Sequence, residues 1–348
     1  MDREVKKSPL ADLYPEKTKL MEFAGWQMPR DAGSIIAEHN AVRKNAGVFD
    51  LSHMGRIVIK GPEADRKLSR LFTRDLSAAS KGRALYGFIC EETGYSLDDD
   101  IFYKRSPEEI WGVVNAANCA KVYNWLTENL PGLEVLNLSE ETVLLAIQGP
   151  KAPYVFERIG LELPKKMFRA SWNEAGMLAT TGYSGEAGGE IWLKINEGRE
   201  VFEKLLQEKI TFCGLGARDS LRLEKGYPLH GHELNDEIDP LAAGLDFFID
   251  WKHDFKGRKI LLERKNKGLK RKIRGLLFNT RRSPRLKAKL IDDTGKKAGY
   301  ITSSGYSPTL NHAIALALLD SRLSLNQRVK VKSPTTSQPA KITNLPFL

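Results

Sequence analysis

Four stretches concentrate side chains that can do chemistry. The first is Leu97-Asp98-Asp99-Asp100-Ile101-Phe102-Tyr103, three adjacent acids running into an apolar strand. Side chains alternate along a strand, so Asp98 and Asp100 face one way and Asp99 the other. A lone carboxylate facing a pocket can act as a base or a hydrogen-bond acceptor, whereas a triple acid in a turn would simply be solvated. No His or further acid stands at ligand spacing, so no metal site is expected. The second stretch is GYSGEAGGE, residues 182–190, whose four glycines permit a tight turn and close backbone approach to a ligand. It matches neither a dinucleotide fingerprint nor a P-loop, because no Lys-Ser/Thr follows. Glu190 would open a strand, where its carboxylate can accept two parallel N–H bonds from a flat heterocycle; an ordinary hairpin is the plainer alternative. The third is GLGARDSLRLEKGYPLHGHEL, residues 214–234. Arg218, Asp219 and Arg222 can meet on one side of a helix, with Arg218 early enough to present a fixed fork to an acceptor; a structural ion-pair network serves equally. His230 and His232 lack a third ligand. The fourth, residues 23–55, holds a Trp, two Met and two His near tight turns. Met54 could pack against an aromatic ligand, and His53 reads as a hydrogen-bonded core residue. No Ser-His-Asp or Cys-His arrangement emerges from the spacing.

The elements that must position these residues alternate between strand and helix. Ser34 can cap a helix through Ile35, Ile36, Ala41 and Val42, with Gly47 ending it and VFDL following as a strand. IVIK (57–60) leads through Gly61-Pro62 into a helix with Leu68, Leu71 and Phe72. IWGVV (110–114) leads to a helix through Cys119, Val122 and Leu126. VLLAI (143–147) leads through Gly149-Pro150 to one with Val155 and Ile159 inward. The repeated strand, Gly-Pro, helix order hints at an internal duplication. EIWLKI (190–195) precedes a helix with Val201, Phe202, Leu205 and Leu206. Ala217–Lys225 is a further helix, stopped by Gly226-Tyr227-Pro228. After about residue 268 the texture changes to short strands, RGLLF, AKLI, GYITS, IALALL and RVKVK, which predict a small antiparallel barrel or sandwich. The basic run 264–274 reads as linker and first strand.

A chain of 348 residues exceeds a single core and predicts two or three domains. No apolar run is long enough to span a membrane, and the first residues, MDREVKKSPLADLY, carry no secretory core. Cys90, Cys119 and Cys213 are odd in number and far apart, which fits no disulfide framework or metal pair and points to a reducing cytoplasm. The net charge of +10 is local: residues 252–289 hold sixteen Lys and Arg against Asp254 and Glu263. This is either a solvated face or a docking surface for an acidic partner. It lacks the interleaved aromatics of a base-stacking platform, so nucleic acid is not expected.

Taken together, FAGWQMP, EHNAVRKNAGVFDLSHMG, VVNAAN, AIQGPKA, TGYSGE, CGLGARDSLRLEKGYPLHGHEL and SGYSPTLNHAIALALL resemble, in order and spacing over most of the chain, the aminomethyltransferase (T-protein) family of the glycine cleavage system. The resemblance implies an α+β fold: a three-domain cloverleaf with a central folate channel and a C-terminal antiparallel β-barrel-like domain. The implied division is 1–52 plus 138–262 for folate binding, 53–137 for the domain carrying the catalytic acid, and 268–348 for the barrel. The implied activity moves a one-carbon unit from an aminomethyl-lipoyl carrier, a small acidic H-protein, to tetrahydrofolate, releasing ammonia, with no metal. Carried over position by position, Asp99 matches the catalytic acid and Glu190 the acid gripping the pterin edge. Arg218 matches the arginine near the pterin, and Asn115 looks like a ligand contact. Met54, Tyr86 and Tyr183 look like channel-lining residues. Two departures stand out: Asp100 replaces an apolar residue, and Gly185-Glu186-Ala187-Gly188-Gly189-Glu190 loses an Asp and an aromatic. The alternatives are a folate-dependent demethylase acting on another amine or sulfonium donor, and a non-catalytic folate-binding protein.

Overall fold

The computed structural model describes residues 5–332 and 337–348. The chain falls into two compact units, Met1–Ile89 with Leu97–Arg218 and Asp250–Phe255, and Cys90–Ser96 with Asp219–Ile249 and Lys256–Leu348. Among the described residues no helix is long and apolar enough to cross a membrane.

The first unit contains two large sheets. One has six strands, in the order Ala170–Trp172, Gly176–Ala179, Gly188–Lys194, Thr142–Gln148, Gly47–Asp50, Thr211–Cys213. Its central strand, TVLLAIQ, is buried at every residue, as a continuous apolar run predicts for a strand covered on both faces. Helices Ala152–Arg158 and Ile195–Gln207 supply Val155, Phe156, Phe202 and Leu205 to the core on this sheet. The other sheet has five strands, in the order Ala84–Cys90, Ser96–Ser106, Glu109–Val114, Gly55–Lys60, Glu134–Asn137. Helix Cys119–Asn129 packs Val122 and Leu126 into its core beside Ile57, Ile59 and Phe102. The sheets meet through aromatic side chains, with Trp111 and Trp192 at a centroid separation of 4.5 Å.

The second unit carries a closed six-stranded antiparallel barrel, whose neighbouring strands are Arg271–Phe278, His312–Asp320, Lys297–Ser307, Lys289–Asp292, Arg328–Val331 and Gln338–Thr343. Closure pairs the last strand with the first, Leu276 opposite Ile342, and leaves no open edge. The buried Arg222 donates to Asp219, Glu233 and Ser303, and the buried Glu224 accepts from Ser307 and Thr309.

The α+β class and the barrel agree with the sequence, and several local expectations are corrected. Residues 258–267 form a helix, so the basic run is not a linker until Gly268; Gly257, with φ +85°, and Gly268 bracket it. Ser34 caps its helix, accepting from the Ala37 N–H, but the helix ends at Lys44 and Gly47 already begins the next strand. The helix after Gly61-Pro62 is only Ala64–Ser69, and Leu71 and Phe72 reach the core from beyond it. The sixth barrel strand, interrupted by a proline, had no readable strand pattern.

Candidate active site

The three acids lie within the Ser96–Ser106 strand and are not a solvated turn: Asp98 and Asp100 are fully buried, and Asp99 is half-buried. Simple alternation would send Asp98 and Asp100 to one face and Asp99 to the other; that expectation is corrected for Asp98 and Asp99, whose carboxylates converge within 4.8 Å of each other and share one amide partner, Asn115. The antiparallel register with Glu109–Val114 sets Ile101 opposite Val113, which carries Asn115 to the level of Asp99. The Asn115 side-chain amide donates to Asp98 Oδ1 at 2.9 Å, to the Asp99 carbonyl at 3.0 Å and to Asp99 Oδ1 at 3.1 Å. Asp98 also accepts from the Asn115 backbone N–H at 3.0 Å and from Asn118 at 2.7 Å. The Tyr86 hydroxyl donates to Asp99 Oδ2 at 2.9 Å. Asp99 is thus gripped through both oxygens. Burial, and then the neighbouring Asp98 charge, push its carboxyl well above the usual carboxylate range, against the opposing pull of the Tyr86 and Asn115 bonds. Asp100 is pushed up in the same way, by burial and by Asp98.

The second acid, Glu190, is the third residue of the Gly188–Lys194 strand, not its first, and is buried. Its Oε2 accepts from Thr181 Oγ1 and, at 3.4 Å, from the Tyr103 hydroxyl. Both bonds run to one oxygen. Tyr103 shares the Asp99 face of its strand, four residues on, so a single strand presents the first acid and supports the second. The glycine loop before Glu190 is fastened, not free. Gln148 donates to the Thr181 carbonyl at 3.2 Å and accepts from Ser184 at 2.7 Å, while Arg43 donates to the Ser184 carbonyl at 2.7 Å and to Glu186 at 2.9 Å. A Cβ at Gly182 would stand 2.1 Å from Gln148 Oε1, so a side chain there would push Gln148 out of these bonds.

Arg218 sits in helix Leu215–Glu224. The buried Glu38 accepts from the Ala32 N–H at 2.7 Å and the Gly214 N–H at 2.9 Å, which fixes the start of that helix. The guanidinium lies over the Tyr183 ring at 4.7 Å and feels the Glu190 charge, while burial lowers its pKa. Arg218 therefore serves Tyr183 and Glu190, and it is Arg222 that pairs with Asp219. Met54 is half-buried, in a turn held by Arg56, which donates to the Met54 carbonyl. His53 beside it is buried against Phe23, and its Nδ1 has no hydrogen-bond partner among the described residues. Burial first, then the Arg218 and Arg56 charges, depress its pKa to about 3, which keeps the imidazole neutral. The expectation of a hydrogen-bonded His53 is corrected at that atom. His230 and His232 do not share a partner: His230 faces the Ser96 carbonyl at 3.5 Å, and His232 faces Ser303 at 3.1 Å.

Asp99, Asn115, Tyr86, Tyr183, Arg218 and Glu190 thus form one linked set, Tyr183 contributing to the electrostatics of both Tyr86 and Arg218. Sequence reasoning missed the supports Asp98, Tyr103, Gln148, Arg43 and Glu38. For Tyr103 the signal existed in its even spacing from Asp99; for the others, partners distant in sequence supply the meaning.

Residues 13–253 match the GCVT N-terminal domain, and residues 271–348 match the glycine cleavage T-protein C-terminal barrel domain. An aminomethyltransferase of Thermoanaerobacter sp. (strain X514) is 42% identical over 333 residues, which cover 91% of this chain and 90% of the relative. One from Listeria monocytogenes serotype 4a is 38% identical over 356 residues, covering 99% and 98%. The crystal structure of glycine cleavage system aminomethyltransferase T from Bartonella henselae aligns with a TM-score of 0.94 at 32% identity, covering 99% of this chain and 98% of that one.

Proposed function

The chain belongs to the glycine cleavage T-protein family and is an aminomethyltransferase, and from that premise we propose that it moves the one-carbon unit of an aminomethyl-lipoyl carrier to tetrahydrofolate in the cytoplasm. A folate nitrogen attacks the aminomethyl carbon, the carbon–sulfur bond breaks, and the sulfur leaves as the dihydrolipoyl thiol. The second folate nitrogen closes onto the same carbon and expels ammonia. The two protons lost from the folate nitrogens end on sulfur and on ammonia.

Asp99 is the catalytic acid in this reading. Its carboxyl hydrogen-bonds the attacking nitrogen and receives its proton, while Tyr86 and Asn115 hold it in place. Burial raises its pKa, so the carboxylate is a stronger proton acceptor than an exposed one. Glu190 grips the pterin edge, since its bonds to Thr181 and Tyr103 occupy Oε2 and leave Oε1 to face paired N–H donors. Arg218 and Tyr183 would flank the ring, and Met54 would pack against it. Positioning two substrates supplies most of the rate, and the chemistry calls for no metal. The partner is a lipoylated, H-protein-like acidic carrier. The same reading divides the chain into 1–52 plus 138–262, 53–137 and 268–348. The relatives named above are aminomethyltransferases and do not favour a demethylase or a non-catalytic folate binder.

The observation that carries the proposal is the pair of supported carboxylates, one held through both oxygens and one through a single oxygen. The test is ammonia release from aminomethyl-loaded lipoyl carrier, with and without tetrahydrofolate. Asp99→Asn should keep folate affinity within a few-fold and lose most transfer, about 100-fold or more. Wild-type turnover in that variant would remove Asp99 from the mechanism.

A further inference from the structure

A second feature of the first unit lies outside the set built around Asp99 and Glu190. A cleft of about 540 Å³ is lined by Lys81, Lys165, Lys166 and Arg169, with Glu162 as the acid in its wall. Arg83 stands beside it, opposite Arg169 in an antiparallel bridge. Elsewhere in this unit cations find carboxylates: Lys104 with Asp65, Arg43 with Glu186, Arg105 with Glu109, Arg199 with Asp12. Among the described residues the five cations at the cleft have no ion pair; Arg169 donates to the Ser80 hydroxyl at 2.7 Å instead.

Backbone hydrogen bonds tie together the two segments that carry Arg83 and Arg169. Ala170 N donates to the Gly82 carbonyl at 2.8 Å, Gly82 N to the Lys104 carbonyl at 2.8 Å, and Ala84 N to the Phe168 carbonyl at 3.0 Å. Gly82, at φ +78°, allows this approach, since a Cβ there would lie 2.9 Å from the Ala170 carbonyl. The two segments therefore clamp like charges together, and the repulsion registers on Arg83, whose pKa is lowered by burial, Arg169 and Arg74. Positive charge without ion pairs around an open cleft is complementary to a polyanion.

We propose that this cleft docks a carboxylate-rich segment of polypeptide. Three exposed lysines on flexible stems are point charges, not the bidentate forks or backbone nests that select a single phosphate. They line a space larger than one phosphate needs, and carboxylates spaced along a chain can meet them in turn. Among the described residues no aromatic side chain lines the cleft, which disfavours nucleic-acid bases. The inference stands apart from the aminomethyl-transfer reading and does not use Asp99 or Glu190.

Binding of a fluorescent octaglutamate peptide to the full chain tests it, against two charge reversals of equal size. Lys165→Glu with Lys166→Glu alters the cleft; Lys267→Glu with Lys270→Glu alters exposed lysines of the long basic run. The expected result is at least 10-fold weaker binding for the first pair and less than 2-fold for the second, with transfer from a free aminomethyl-lipoyl donor unchanged in both. Equal weakening by both pairs, no measurable binding by wild type, or tighter capture of an oligonucleotide of equal charge at the cleft would overturn the proposal.

Discussion

At the scale of single residues, the two acids differ in how they are held, and that difference separates their roles. Glu190 has one committed oxygen. Replacing it by Gln removes a charged acceptor, and a charge-assisted bond contributes about 1.5–3 kcal/mol, so folate affinity should fall about 10- to 100-fold. Unchanged affinity in a titration would refute the pterin contact. Asp100 offers a prediction on stability. Its folded pKa is raised by burial and by Asp98, so the native state holds a proton that the unfolded chain has released. Its contribution is therefore favourable below the unfolded pKa near 3.8 and turns unfavourable as pH rises above it toward the folded pKa. Asp100→Asn should accordingly raise the melting temperature at pH 8 more than at pH 4. A constant difference across that range would show that Asp100 is not buried as a neutral carboxyl.

At the scale of elements, the strand Ser96–Ser106 joins the site, because period-two alternation places Asp99 and Tyr103 on one face. The glycine loop works only because Gln148 and Arg43 fasten it. Arg43→Ala should release the loop and cost on the order of 1–3 kcal/mol of stability. It should also raise the KM for folate with little change in kcat, since the acid carrying the chemistry is elsewhere. A variant as stable as wild type with an unchanged KM would show that Arg43 does not organise the loop. Helix formation in this protein was legible where caps and apolar spacing coincide, as at Ser34. It was not at 258–267, where Lys and Arg dominate and the helix buries only Leu261. A charged surface helix carries almost no hydrophobic period to read.

At the scale of the whole molecule, a ligand that binds only the folded protein stabilises it by mass action. Tetrahydrofolate at a hundred times its Kd should add about 2.7 kcal/mol, read as a rise in melting temperature. The Glu190→Gln variant at the same concentration should show most of that rise lost. A wild-type melting curve indifferent to reduced folate would remove the co-substrate on which the proposed activity depends.

The residues alone determined the α+β class, the all-strand C-terminal part and the family, because periodicity and an ordered series of motifs are written along the chain. They also carried Asp99, Asn115, Tyr86, Tyr183, Arg218, Glu190 and Met54 as candidates. Only the tertiary structure decided that Asp98 and Asp100 are buried rather than solvated, that Arg218 turns to Tyr183 while Arg222 takes Asp219, and that Tyr103 reaches Glu190 across 87 positions. Burial and hydrogen bonding depend on partners brought close by strand register and sheet packing, and one residue's type does not encode which distant residue will face it.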